Sequence, residues 1–202
     1  TLTGLGGVGK TRLAVEAARA MAEEQAGNAC RFADGILFAP LASVESAEFL
    51  PAALANELAI GLHENAELGA QVIDFLRLKR MLLVLDNFEQ LRQEASWLLA
   101  LLAAAPGLSL LVTSRLPLNL RAEERLQLGG LGYPGQAVSA DEALTYPAVL
   151  LFVQAARRVQ HSFRLSPADA PAVLRICQLV DGRPLALELA AGWLRVYDCA
   201  EI

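Results

Sequence analysis

Short apolar runs separated by amphipathic stretches occupy the first 130 residues of the chain. Continuous hydrophobic runs at residues 81–85 and 108–112 predict strands that are covered on both faces, and the apolar run at 35–41 predicts another strand. Residues 1–3 predict the end of a further strand, and residues 125–128 predict a strand at an edge. Apolar side chains recur at helical spacing between these runs, in residues 10–24, 48–58, 71–79 and 89–105. This alternation predicts an α/β fold, in which a parallel sheet is flanked by helices.

The pattern changes after the last predicted strand. Residues 129–146 carry the Gly, Pro and Ser that are typical of a linker, and residues 147–159, 169–180 and 184–196 show helical spacing only. We therefore predict a first domain at residues 1–130, a linker at 131–145 and a helical subdomain at 146–202. A strand already under way at residue 1 and a helical pattern still running at residue 195 lead us to expect a truncated piece of a longer protein.

Composition and charge exclude several classes of function. The 202 residues carry a net charge of −5, and such an acidic balance disfavours direct contact with nucleic acid or an anionic membrane. The apolar runs are too short to span a bilayer, and the start of the chain lacks a signal peptide, so we expect a cytoplasmic location. Cys30, Cys177 and Cys199 form no CxxC pair, and we interpret them as buried small hydrophobes.

A phosphate-binding motif follows the first predicted strand. Residues 4–11 read GLGGVGKT, which fits G-x-x-x-x-G-K-[ST] between a strand and a helix. Glycines let the backbone amides curl around an anion at the positive end of a helix. Lys10 can reach the β- and γ-phosphates of a purine nucleoside triphosphate, and the Thr11 hydroxyl can ligate Mg²⁺. The alternative is a glycine-rich turn that only caps the helix. The predicted nucleotide-binding residues are Gly4, Gly6, Gly7, Val8, Gly9, Lys10, Thr11 and Arg12.

A carboxylate ends the apolar run at residues 81–85. Asp86 is predicted to hold Mg²⁺, usually through water, although an aspartate there could also simply begin a turn. The next residue is Asn87, whereas many P-loop ATPases carry a second acid there that activates water. Glu89 could take that catalytic role if the turn directs it inward, or it could be a solvated acid in the first turn of a helix. We therefore expect slow hydrolysis.

Polar residues also end the apolar run at residues 108–112. In open parallel sheets, ligands bind at the carboxyl ends of the strands. Arg115 is therefore predicted to sense the γ-phosphate, and Thr113 or Ser114 to bond that phosphate or the attacking water. The alternative for Arg115 is a structural ion pair.

Four motifs together carry a family resemblance. GLGGVGKTRLA, LLVLDNFEQL, LLVTSR and DGRPLALELAA occur in this order and resemble the STAND class of signal-transduction ATPases, as in large bacterial LuxR-type regulators and the NB-ARC domain. Without that context, Gly182 and Pro184 need only end one helix and begin the next. The resemblance implies a five-stranded parallel core, with the arginine strand between the P-loop and aspartate strands. It also implies that Gly182 and Pro184 lie on the adenine side and that Arg115 senses phosphate.

The resemblance further implies a regulatory switch that binds ATP or ADP with Mg²⁺. Its partners would be sensor and effector domains of the same longer chain and, in a nucleotide-dependent manner, further copies of itself. Catalysis would depend on Lys10, Asp86, Glu89 and Arg115, and the metal on Thr11 and Asp86. Two alternatives stay open. One is a non-hydrolysing interaction module that holds ADP, which Asn87 favours. The other is a small-molecule kinase, which the lack of an arginine-rich lid in the sequence disfavours.

Overall fold

The computed structural model describes residues 1–25, 31–63 and 66–202. By their contacts these residues divide into two compact units. The first comprises Thr1–Gly4 and Lys10–Gln127, and the second comprises Leu5–Gly9 and Leu128–Ile202. The division after Gln127 lies close to the predicted domain boundary at residue 130, which itself stays a prediction.

The first unit contains a five-stranded parallel sheet. Its strands are β1 (Leu2–Thr3), β2 (Ile36–Pro40), β3 (Leu82–Asp86), β4 (Ser109–Ser114) and β5 (Leu126–Gln127). They lie in the order β2-β3-β4-β1-β5, and every neighbouring pair is parallel. The predicted α/β fold with a five-stranded parallel sheet is therefore confirmed. The arginine strand β4 lies between β1 and β3, as the family resemblance implies.

The helices of the first unit connect these strands. They are α1 (Lys10–Gln25), α2 (Leu50–Glu57), α3 (Leu68–Leu76) and α4 (Ala95–Ala104), with short 3-10 helices at Ala47–Phe49 and Phe88–Glu94. The predicted bounds of α3 were wrong: it begins three residues before residue 71. The side chain of Glu67 accepts hydrogen bonds from the N–H groups of Gly69 and Ala70 at 2.9 and 2.6 Å, which satisfies amides at the helix start. The predicted helix at residues 89–105 begins as a 3-10 helix.

Strand β3 runs through the hydrophobic core of the first unit. All five of its residues are buried, which explains the continuous apolar run, since a strand covered on both faces has no solvent-facing side to alternate with. Leu83 and Leu85 pack in one cluster with side chains from the surrounding helices, among them Leu54 of α2 and Leu76 of α3. This packing fixes the position of Asp86 at the carboxyl end of the strand.

The second unit is helical and has its own core. Its helices are α5 (Ala140–Ala143), α6 (Pro147–Val159), α7 (Ala170–Leu179) and α8 (Pro184–Gly192), followed by a 3-10 helix at Trp193–Arg195. The short helix α5 lies in the segment predicted as irregular. Ser139 caps it, because its side chain accepts a hydrogen bond from the Glu142 N–H. Phe152 and Phe163 meet edge to face in the core, with ring centroids 6.4 Å apart.

The predicted linker packs against the turn between α7 and α8. The Leu131 N–H donates to the Gly182 carbonyl oxygen at 2.8 Å, and the Tyr133 hydroxyl lies 3.2 Å from an Asp181 carboxylate oxygen. Gly182 has a φ of +61°, and a Cβ there would collide with the Leu131 carbonyl oxygen. The turn therefore needs a glycine for both its backbone conformation and its close approach.

The sequence predicts that the three cysteines are buried small hydrophobes and not part of a site. Cys30 lies outside the described residues. Cys177 and Cys199 are both buried, and burial raises the pKa of each thiol to about 11. Across the described ranges, no helix is both long enough and apolar enough to cross a bilayer.

Candidate functional site

The motif glycines shape a tight loop between β1 and α1. Gly7 and Gly9 have φ values of +77° and +95°, in the region that side-chain-bearing residues rarely adopt. A Cβ built at Gly6 or Gly9 meets no heavy atom within 4 Å, so open space borders the loop at both positions. Helix α1 begins at Lys10, so its N-terminal amides lie at the end of the loop. Loop and helix start together form the geometry of an anion-binding site.

Lys10 folds back over the start of the loop. Its ammonium group donates to the Gly4 carbonyl oxygen at 2.8 Å, and the residue is only 9% exposed. Burial lowers the pKa of Lys10; the charge of Glu89 counteracts this shift, the charge of Arg115 adds to it, and Asp86 again opposes it. Lys10 therefore lies in the electrostatic field of three of the predicted site residues. The neighbouring predicted residues differ in exposure: Val8 is buried and Arg12 is exposed.

Asp86 accepts hydrogen bonds from two threonines. The Thr11 hydroxyl donates to Asp86 Oδ1 at 2.7 Å, and the Thr113 hydroxyl donates to the same oxygen at 2.6 Å. Thr113 in turn accepts the Asn87 N–H at 3.0 Å. The structure thus brings together Thr11 and Asp86, the predicted metal ligands, and Asp86 is only 7% exposed. Asn87 has a φ of +64°, so the chain turns sharply directly after the carboxylate.

The bond of Thr113 or Ser114 to phosphate or water stays a prediction, and the structure shows other contacts for Thr113. The Thr113 hydroxyl is fully buried, donates to Asp86 and accepts from the Asn87 N–H. The parallel register pairs Leu85 with Val112, so residue 113 lies beside residue 86. No local pattern predicts this contact, because it depends on β4 lying beside β3.

Glu89 and Arg115 form an ion pair. Arg115 Nε lies 3.1 Å from Glu89 Oε1, with the arginine side chain 68% exposed and the glutamate side chain 21% exposed. The second carboxylate oxygen, Oε2, is buried without a hydrogen-bond partner. Phe88 is completely buried and anchors the 3-10 helix, which directs the neighbouring Glu89 toward the end of β4. The ion pair that the sequence left open for Arg115 is thus present, and its partner is the candidate acid.

The described residues fit a nucleotide with Mg²⁺. No group of three or more His, Cys, Asp or Glu side chains within residues 1–25, 31–63 and 66–202 is arranged to hold a metal ion alone. Mg²⁺ at a nucleotide site needs no such group, because it keeps waters and is held through one or two protein oxygens plus the phosphates. The adjoining oxygens of Thr11 and Asp86 supply that donor set.

The Gly-Arg-Pro turn lies in the second unit, which also contains Leu5–Gly9. Pro184 is the first residue of α8. Leu185, the next residue, donates its N–H to the Gly7 carbonyl oxygen at 3.2 Å. The side chain of Leu185 also lies against the space beside Gly7, where an added Cβ would come within 2.9 Å of it. The sequence did not single out Leu185, since a leucine in a helix carries no signal of this contact.

Comparison with solved structures identifies the fold. The chain superposes on the ORC2 protein of Aeropyrum pernix, described as ADPNP-ADP complexes, with a TM-score of 0.59 and 14% identity over 94% of this chain and 54% of that one. The ADP form of the same protein gives a TM-score of 0.54, at 14% identity and the same coverage. The chain has an AAA+-like P-loop fold. No protein-family model matches it.

Relatives by sequence are longer proteins. A protein of Mycobacterium tuberculosis named "Putative HTH-type transcriptional regulator" is 36% identical over 207 aligned residues, which cover 100% of this chain and 21% of the relative. An uncharacterized protein of the same species is 32% identical over 193 residues, covering 95% of this chain and 44% of that protein. This chain thus matches part of a larger protein in each case, and spans less than half the length of either.

Proposed function

We propose that this chain is the ATP- and ADP-binding switch domain of a larger transcriptional regulator of the STAND class, with slow Mg²⁺-dependent ATP hydrolysis. The observation that carries the proposal lies at the carboxyl end of the parallel sheet, where Lys10 bonds to the Gly4 carbonyl oxygen and Thr11 bonds to Asp86. An AAA+-like fold and the partial match to a regulator support it.

Each residue has a distinct part in the proposed chemistry. The loop amides and Lys10 bind the phosphates, and Thr11 with Asp86 holds Mg²⁺. The metal, when bound, neutralises charge on the phosphate oxygens. Arg115 contacts the γ-phosphate and Glu89 orients the attacking water. Gly182 and Pro184 lie on the adenine side in this proposal, which is supported by the bond between their neighbour Leu185 and the loop carbonyl of Gly7.

A switch requires that the nucleotides bind two states unequally. A bound nucleotide shifts a conformational equilibrium only by the difference between its binding free energies for the two states. We propose that the sensed signal and the output come from other domains of the longer chain, and that the triphosphate state favours a homo-oligomer. A cytoplasmic location and the absence of direct nucleic acid contact by this segment stay predictions.

A second candidate is a non-hydrolysing module that keeps ADP as a structural cofactor. Asn87 favours it, because an amide cannot accept a proton and its left-handed backbone fixes the turn after Asp86. The candidate acid, Glu89, is engaged with Arg115. Single-turnover measurement with excess protein separates the two functions: loss of hydrolysis in both Asp86→Ala and Glu89→Gln supports the ATPase, while no turnover by the parent protein supports the module.

Nucleotide binding itself is tested by calorimetry with MgATP and MgADP. The chain has only two lysines, Lys10 and Lys79, which provide a matched pair of variants. Lys10→Ala should abolish the binding heat, because the phosphates lose their buried cation. Lys79→Ala should leave it intact, because Lys79 pairs with Asp34 at 2.9 Å, away from the loop. Equal binding by both variants would contradict the proposed site.

A further inference from the structure

We propose that Glu89 is a positioning residue that competes with the terminal phosphate of the nucleotide for Arg115, and so lowers the preference of the site for triphosphate over diphosphate. This inference rests on the proposed function, because it assumes that a nucleotide binds at the P-loop. It assigns to Glu89 an effect on binding that is separate from any effect on water.

The Glu89 carboxylate contacts one of the two cations that a polyphosphate would need, Arg115, and its charge acts on the other, Lys10. One oxygen lies 3.1 Å from Arg115 Nε. The same carboxylate exerts the largest charge effect on the pKa of Lys10, larger than that of Asp86. Glu89 therefore acts as an internal anion toward Arg115 and Lys10.

Arg115 is free to change partner. Its side chain is 68% exposed, while that of Glu89 is 21% exposed and follows the fully buried Phe88. A phosphate offers the guanidinium several charged oxygens and bidentate geometry, whereas the glutamate offers one contact through Nε. The arginine is thus the mobile member of the pair, and the glutamate is the fixed one.

A diphosphate and a triphosphate affect the Glu89–Arg115 ion pair differently. A diphosphate needs Lys10 but has no γ-phosphate to attract Arg115, so the ion pair can persist. A triphosphate binds Arg115 and leaves Glu89 Oε1 without its partner. The other oxygen of the same carboxylate, Oε2, is already buried without a hydrogen-bond partner. The glutamate therefore weakens triphosphate binding more than diphosphate binding, and the ratio of the two dissociation constants reports the competition.

The test measures Kd for MgADP and for the non-hydrolysable analogue MgAMP-PNP by calorimetry. The ratio Kd(ADP)/Kd(AMP-PNP) should rise about two- to fivefold in Glu89→Gln, the range expected for an exposed ion pair. Arg115→Ala should lower the ratio, and the double variant should match Arg115→Ala. Asp74→Asn is the matched control, because it breaks the exposed ion pair of Asp74 with Arg77 at 2.9 Å at the end of α3 and should leave the ratio unchanged.

The outcomes distinguish this inference from the proposed function. Absence of binding of either nucleotide to the parent protein overturns both. Binding with an unchanged ratio in Glu89→Gln overturns the inference alone, as does an equal rise of the ratio in the Arg115→Ala background, which would indicate a general charge effect. Should Glu89→Gln fail to fold, Glu89→Asp retracts the carboxylate from Arg115 by one methylene group and should raise the ratio in the same direction.

Discussion

Replacement of Thr113 by valine removes one hydroxyl while it preserves the shape of the side chain. The hydroxyl is completely buried, donates to Asp86 Oδ1 at 2.6 Å and accepts the Asn87 N–H at 3.0 Å. A hydrogen bond to a charged group contributes about 1.5–3 kcal/mol, and an orphaned donor costs about 1–3 kcal/mol. The same hydroxyl makes both bonds, so the two costs are not fully additive, and we expect the free energy of unfolding to fall by about 3 kcal/mol. For a chain of this length that corresponds to a decrease in Tm of roughly 10 °C.

Differential scanning calorimetry measures this effect, and Thr113→Ser is the control. Serine keeps the hydroxyl but loses a methyl group, which costs about 1 kcal/mol in a packed core. Valine should therefore be more destabilising than serine, although it fills the space better. We also expect weaker MgADP binding in Thr113→Val, because Asp86 loses one of the two groups that orient it. If the serine variant melts at or below the valine variant, packing and not hydrogen bonding determines this position, and the reasoning is wrong.

Three further predictions concern other parts of the chain. Lys10→Met should abolish the nucleotide-dependent increase in Tm without lowering the Tm of the protein alone, since burial already lowers the pKa of this lysine; a large loss of intrinsic stability would contradict this. Cys177 and Cys199 should react with a thiol reagent at pH 8 only after unfolding. Stability should also fall as the pH rises from 9 toward 11, because the unfolded thiols, with a pKa of 9.0, release protons before the folded ones, with a pKa of about 11; rapid labelling of the native protein would refute the assignment. Gly182→Ala should destabilise the second unit by about 2 kcal/mol or more, whereas Gly132→Ala, which meets no atom within 4 Å, should be tolerated; similar melting of both variants would exclude the close approach.

Local sequence was sufficient for most of the fold. Continuous apolar runs predicted β2, β3 and β4, and helical spacing with Pro147 predicted α6 at its observed bounds. These predictions succeeded because burial on two faces or on one stripe leaves a periodic pattern in the chain itself. The start of α3 was missed because a glutamate cap is not among the preferred N-cap residues, and α5 was missed because four residues are too short for a periodic signal.

The sequence alone predicted a phosphate-binding loop, because the spacing of the loop glycines, Lys10 and Thr11 is a local property that a strand and a helix translate directly into geometry. Tertiary structure decided how the remaining side chains share their charges and hydrogen bonds. Thr113 bonds to Asp86 only because β4 lies beside β3, and Arg115 meets Glu89 only because the turn at Asn87 directs the 3-10 helix toward the end of β4. Such pairings join residues about 26 positions apart, and they depend on strand order, which no local pattern encodes.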